Sequence, residues 1–191
     1  MADDTQSGWS FPTANGHLGP RSIAMLIETV AGHHVNEPAV AQWAIHNGEV
    51  TALTPDSDAA EAGYGMSPTQ AVATLNALGG QYGIEAELHF ASIGDLESEC
   101  HHGRILLIEI GDSHPGAQTR FAVLSAFDPA ANAVTVNAPG ATGPATETIP
   151  LSALEQAWSA SNGAMIVTSH GSQVGPALLP VLIEPHLVSV A

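Results

Sequence analysis

The chain's one cysteine, Cys100, stands directly before His101 and His102. A thiol beside imidazoles is the first pattern to test for nucleophilic chemistry. It does not carry that chemistry here. The Ser92-Ile-Gly-Asp95 start marks a short helix running to His102, and neighbours on a helix point about 100° apart, so the thiol reads as inert packing. The ten histidines invite a metal reading, with His33-His34 and His101-His102 as adjacent pairs and Glu99, Cys100 and His102 as a mixed set. No Cys-x-x-Cys or His-Glu-x-x-His spacing accompanies them, and no metal is expected. Ser22 and Ser125 have no readable partner histidine, which argues against a serine hydrolase. No phosphate-binding loop and no dinucleotide glycine pattern occurs, so no cofactor is expected.

The stretch from Gly16 to Val30, Gly-His-Leu-Gly-Pro-Arg-Ser-Ile-Ala-Met-Leu-Ile-Glu-Thr-Val, organises the chain. Gly19 frees the backbone, and Pro20 falls where the first helical turn tolerates a missing N–H. Ile23, Met25, Leu26, Ile27 and Val30 then form a nearly continuous apolar run, the mark of a helix enclosed in a core, and Gly32 is its stop. The start of such a helix offers free N–H groups and a positive dipole end to a nucleophile or an anion. The residue before Gly19-Pro20 is Leu18, which can be neither nucleophile nor base.

The elements around that helix follow from caps and periodicity. Asn36 caps a second helix with Val40, Trp43 and Ala44 inward, closed by His46-Asn47-Gly48. Residues 51–66 read as a loop. Ser67-Pro68 starts a third helix, with Val72, Leu75 and Leu78 at helical spacing and Gly79-Gly80 as its end. Strand patterns follow at Ile84–Phe90 and Arg104–Ile110, and Arg120–Ala126 with Ala133–Asn137 makes a hairpin through Asp128-Pro129-Ala-Ala-Asn132. Ala138 to Gly143 reads as a Gly/Pro-rich turn, Leu151, Leu154 and Trp158 as a short helix, and Ala164–Thr168 as a last core strand. Helices first and a mostly antiparallel sheet after them make an α+β fold.

Residues 1–10 read as a disordered lead-in, 11–170 as one domain, and 171–191 as an apolar tail. No run of about 18 apolar residues occurs, so no membrane span is expected. The acidic N-terminus lacks a signal pattern, and a single cysteine fits a reducing compartment, so the expected localisation is cytoplasmic. The formal net charge is −16, with Arg21, Arg104 and Arg120 the only cations besides histidine and no lysine at all. Such a surface repels phosphate backbones, which excludes nucleic-acid binding, and it suits a basic partner, salt adaptation or plain solubility.

Six motifs in order resemble the double-glycine-leader (bacteriocin-processing) peptidase-like branch of the papain superfamily. They are Leu18-Gly19-Pro20; Gly65-Met66-Ser67-Pro68 with Tyr82-Gly83-Ile84; Leu96 to Ile110; Arg120 to Asp128; Val134-Thr-Val-Asn137-Ala138-Pro139-Gly140; and Pro150 to Trp158 with Ala164 to Val167. The resemblance spans about residues 9 to 170 and implies a papain-like fold of N-terminal helices packed on the sheet, in a bacterial protein. It also implies where a cysteine, a histidine and an aspartate would stand, and those positions hold Leu18, Arg120 and Ala138. The glutamine expected ahead of the cysteine falls near Pro12-Thr13. Loss of even one such group costs orders of magnitude in rate.

The expectation is therefore a non-catalytic pseudopeptidase domain that binds a protein or peptide, as an accessory subunit of a larger assembly. Arg120, Arg21, Asn137 and His17 are its binding candidates, with arginine offering a fixed donor fork. Leu178, Leu179, Leu182, Ile183 and Leu187 in the tail could add a strand or anchor to a partner or a second copy. The alternatives are a hydrolase with relocated catalytic residues, such as Cys100 with a histidine, and a histidine-based metal or pH sensor.

Overall fold

The computed structural model describes residues 18–32, 34–52, 64–110, 120–140, 143–159 and 161–170. Helix α1 runs from Leu18 to Ala31, and Ile23, Leu26 and Ile27 on it are fully buried. Gly32 ends it at φ 69°, donating its N–H to the Glu28 carbonyl at 2.8 Å. That left-handed turn is why a glycine stands there. The Glu28 carboxylate accepts the Val35 N–H at 2.8 Å, which fixes the turn into α2, Glu37–His46. Asn36 caps α2 as its sequence predicts, its side chain accepting the Ala39 N–H. Val40, Ala41 and Ala44 are buried, and Trp43 lies half-buried against the same core.

The loop expected over 51–66 contains a small ribbon. β1, Thr51–Ala52, pairs antiparallel with β2, Tyr64–Gly65. Two-residue strands carry no periodicity to read. α3 spans Pro68–Gly79 and opens on a full capping box between Ser67 and Gln70. Ala71, Thr74, Leu75 and Gly79 are its buried residues, while Val72 and Leu78 are only partly covered. A 3-10 turn over Gly80–Tyr82 and Gly83 at φ 72° reverse the chain into the sheet.

Six strands make that sheet: β3 Ile84–Phe90, β4 Leu106–Ile110, β5 Arg120–Asp128, β6 Ala133–Gly140, β7 Gly143–Pro150 and β8 Ala164–His170. Their order is β3-β8-β4-β5-β6-β7, and every neighbouring pair is antiparallel. α4, Ile93–His101, follows β3, and α5, Leu151–Ser159, follows β7. Strand alternation divides the apolar side chains into two layers. Leu107, Phe121, Val123 and Ile166 meet α1, α2 and α3 on one face. Leu106, Ile108, Leu124, Val136 and Val167 meet α4 and α5 on the other, with Trp158 fixed by its indole N–H to the Ala164 carbonyl at 2.9 Å.

The α+β architecture and the helix-on-antiparallel-sheet layering match the sequence reading. Several boundaries do not: β5 runs on to Asp128 and β8 to His170, and two others differ more. Of the turn expected over Ala138–Gly143, the described residues are strand: β6 continues to Gly140 and β7 begins at Gly143, with register running out to Gly140↔Gly143. β7 escapes a pattern search because prolines stand near both its ends and Ile149 is its only large apolar residue. The buried strand β4 begins at Leu106 rather than Arg104, whose guanidinium instead reaches Glu99 at 3.1 Å. The lead-in over 1–10 and the tail over 171–191 lie outside the described residues.

Candidate functional site

Three positions define the candidate site: the start of α1 at Leu18, the start of β5 at Arg120, and the end of β6 at Ala138. The fold brings their backbones to one end of the sheet. Ser22, one turn into α1 and fully buried, donates its hydroxyl to the Phe121 carbonyl at 2.8 Å. Phe121 directly follows Arg120, so the opening turn of the helix is tied to the opening of β5. Two residues on, Val123 pairs with Asn137, the residue before Ala138, which places the end of β6 beside the same stretch of β5.

The helix start is also held from the other side. A methyl group added at Gly19 would stand 2.6 Å from Cβ of Met66, so the backbone there touches the segment between β2 and α3. No side chain fits between them, and this close approach is the structural reason for the glycine in the Leu18-Gly19-Pro20 motif. Pro20 is buried in the first turn beside it. The start of α1 is thus held in place by Gly19, Ser22 and Met66.

Of the binding candidates, Arg21 pairs through Nε with the Glu37 carboxylate at 2.8 Å, bracing α1 against α2. Asn137 accepts the Thr146 hydroxyl at 2.6 Å through Oδ1, a cross-strand bond between β6 and β7. His17 and the tail residues Leu178, Leu179, Leu182, Ile183 and Leu187 lie outside the described residues, as do Pro12 and Thr13. The sequence reading passed over Glu109, a buried carboxylate on β4 that pairs in register with Phe121 at this same end. The signal was there: it is the one acid inside the apolar run Ile-Leu-Leu-Ile-Glu-Ile. Its own carbonyl accepts the Ser161 hydroxyl.

Cys100 lies away from this site, half-buried against the cluster under α4 and α5. Burial, and secondarily the Glu99 carboxylate, push its thiol up to about 11, so the thiolate that nucleophilic chemistry needs is scarce at neutral pH. His101 stacks edge-on against Phe127, and the His102 ring nitrogen meets the Ser98 carbonyl at 2.8 Å, so both rings are occupied with local packing. Among the described residues, no three histidine, cysteine or carboxylate side chains gather as a metal set. No helix among them is long and apolar enough to cross a membrane.

No protein-family model matches the sequence, and no curated protein matches it either. Solved structures do. The peptidase domain of Streptococcus ComA, a bi-functional ABC transporter involved in a quorum-sensing pathway, superposes with a TM-score of 0.57 at 10% sequence identity. The match covers 84% of this chain and 96% of that domain. The chain therefore has the fold of a papain-like peptidase domain over most of its length.

Proposed function

We propose that this chain is a degenerate member of the double-glycine-leader peptidase-like branch, without peptidase chemistry. In this reading it binds a protein or peptide segment where a peptidase would hold its substrate, as an accessory subunit. The observation that carries the reading is the tie between Ser22 and Phe121, which keeps the start of α1 against the start of β5. The two residues at that junction are Leu18 and Arg120, neither of which can supply a thiolate or a general base. A junction kept by a buried hydrogen bond, with neither a thiol nor a general base at either residue, supports contact rather than bond cleavage. The alternative of relocated catalytic residues, such as Cys100 with a histidine, is less well supported, because burial pushes that thiol up to about 11.

The test has two arms. The purified full chain is incubated with a mixture of synthetic peptides, and new peptide termini are sought by mass spectrometry. None are expected. Cleavage that disappears in Cys100→Ala would establish the relocated-thiol hydrolase instead. In the second arm the chain is isolated from its native host by size-exclusion chromatography. A co-eluting partner is expected, and it is lost in Arg120→Glu while the circular dichroism spectrum is unchanged. Elution alone as a monomer would rule out the accessory-subunit reading.

A further inference from the structure

We infer that the outer half of edge strand β3, Leu88 to Phe90, is a docking edge for an extended cationic segment of another protein. This surface is separate from the α1–β5 junction and does not depend on the function proposed there. β3 is the terminal strand of the sheet, with β8 on one side only. Asn76 of α3 shows which backbone groups face outward. Its side-chain amide donates to the Ala86 carbonyl at 3.0 Å, and its Oδ1 accepts the Ala86 N–H at 2.8 Å. Since N–H and C=O of one residue point the same way in an antiparallel strand, and the direction alternates, the outward groups are those of Ala86, Leu88 and Phe90. Asn76 closes the edge at Ala86. At Leu88 and Phe90 no hydrogen bond from the described residues does so.

The side chains at the open half add two further features. Phe90 is 70% exposed, more than any other large apolar residue described, and Leu88 beside it on the same face is half-covered. On the opposite face Glu85, Glu87 and His89 are exposed, and the Glu87 side chain retains 81% of its accessibility. No lysine exists in the chain, and two of its arginines are drawn to other acids, Arg21 to Glu37 and Arg104 to Glu99. The only ionic neighbour of Glu87 among the described residues is His89, at 3.6 Å.

These features choose the occupant. A second copy of this edge would set Glu85 and Glu87 against like charges, which destabilises a strand pair, whereas lysine or arginine opposite them stabilises it. The tail over 171–191 carries a single acid, no lysine or arginine and one histidine, so it offers the glutamates no permanent cation. The fitting segment alternates: basic residues on the face of Glu85 and Glu87, apolar residues on the face of Leu88 and Phe90. It would add to the sheet through main-chain hydrogen bonds at Leu88 and Phe90.

The test uses the full chain, isotope-labelled, titrated with acetyl-Lys-Val-Lys-Val-Lys-amide and followed by amide NMR. Shifts and slowed hydrogen exchange are expected at Leu88 and Phe90. Binding is expected to weaken about tenfold in Glu87→Lys and with the fully N-methylated peptide, which cannot pair as a strand. Phe90→Ser should weaken it as well, and neither substitution touches the α1–β5 junction. Equal binding of the corresponding Glu-Val peptide would overturn the proposal, as would no binding of the lysine peptide, or shifts centred on α1 and β5. Amides of Leu88 and Phe90 already protected in the free chain would assign the edge to the protein's own tail. Protection that grows with protein concentration would assign it to a second copy.

Discussion

At the scale of single residues, local surroundings decide what each chemical group can do. Cys100 is the clearest case: sequence places it beside two histidines, while its environment is apolar packing and one carboxylate. Its thiol ordinarily titrates near 9.0, and in the fold near 11. Alkylation by iodoacetamide should therefore stay slow through neutral pH and accelerate only above about pH 10, measured as rate against pH. A midpoint near the ordinary value would show the thiol to be more open than its packing implies. The same shift links to stability with a definite sign. The unfolded thiol ionises first, so its contribution is whole below pH 9 and declines as pH climbs towards 11. Gly19 is the second case. Alanine there would drive a methyl to 2.6 Å from Cβ of Met66, an atom fixed to the backbone rather than the far end of a flexible chain. Gly19→Ala should destabilise the fold by about 1–3 kcal/mol in urea unfolding, despite the higher helix propensity of alanine.

At the scale of elements, legibility followed locality. Caps are contained in four consecutive residues, and Asn36, Ser67 and Ser92 all cap where the sequence places them. The Ser67 box holds two otherwise orphaned N–H groups of α3, so Ser67→Ala should cost about 1 kcal/mol, measured as a lower urea midpoint with an unchanged slope. In α4 the Ser92 hydroxyl, and then its backbone N–H, hold the Asp95 carboxyl below its ordinary range. A depressed carboxyl stabilises above its ordinary pKa and loses that effect as pH falls. Ser92→Ala should therefore move the Asp95 titration upward by NMR, and an unmoved titration would deny the coupling. Features that depend on distant partners were not legible. β7 becomes a strand because β6 offers it a ladder, not because Gly-Pro-Ala-Thr-Glu-Thr-Ile-Pro alternates convincingly. The candidate site was legible as positions, through the motif order around Leu18, Arg120 and Ala138. What sequence could not supply was the Ser22–Phe121 bond that joins two of them across 99 residues, or the engagement of Arg21 by Glu37.

At the scale of the whole molecule, the imbalance of nineteen acids against three arginines becomes a statement about folding. The ion pairs Arg21–Glu37 and Arg104–Glu99 are partly exposed, and pairs of that kind contribute about 0–1 kcal/mol each. They oppose the repulsion among the chain's carboxylates, which the compact state crowds more closely than the unfolded chain does. Added salt screens both effects, with a Debye length near 10 Å at about 0.1 M and near 3 Å at about 1 M. The sign of the response therefore reveals which dominates. If repulsion dominates, the urea midpoint at pH 7 should rise between low and high sodium chloride. If ion pairing dominates, it should fall. The first outcome is expected, and Glu87→Gln, which removes one well-exposed acid without breaking an arginine pair, should reproduce a small part of the gain at low salt and lose its advantage at high salt. A Glu87→Gln variant that matches wild type at every salt concentration would mean that this carboxylate is already screened by solvent. The acidic surface would then act in recognition of a basic partner rather than in the energetics of the isolated fold.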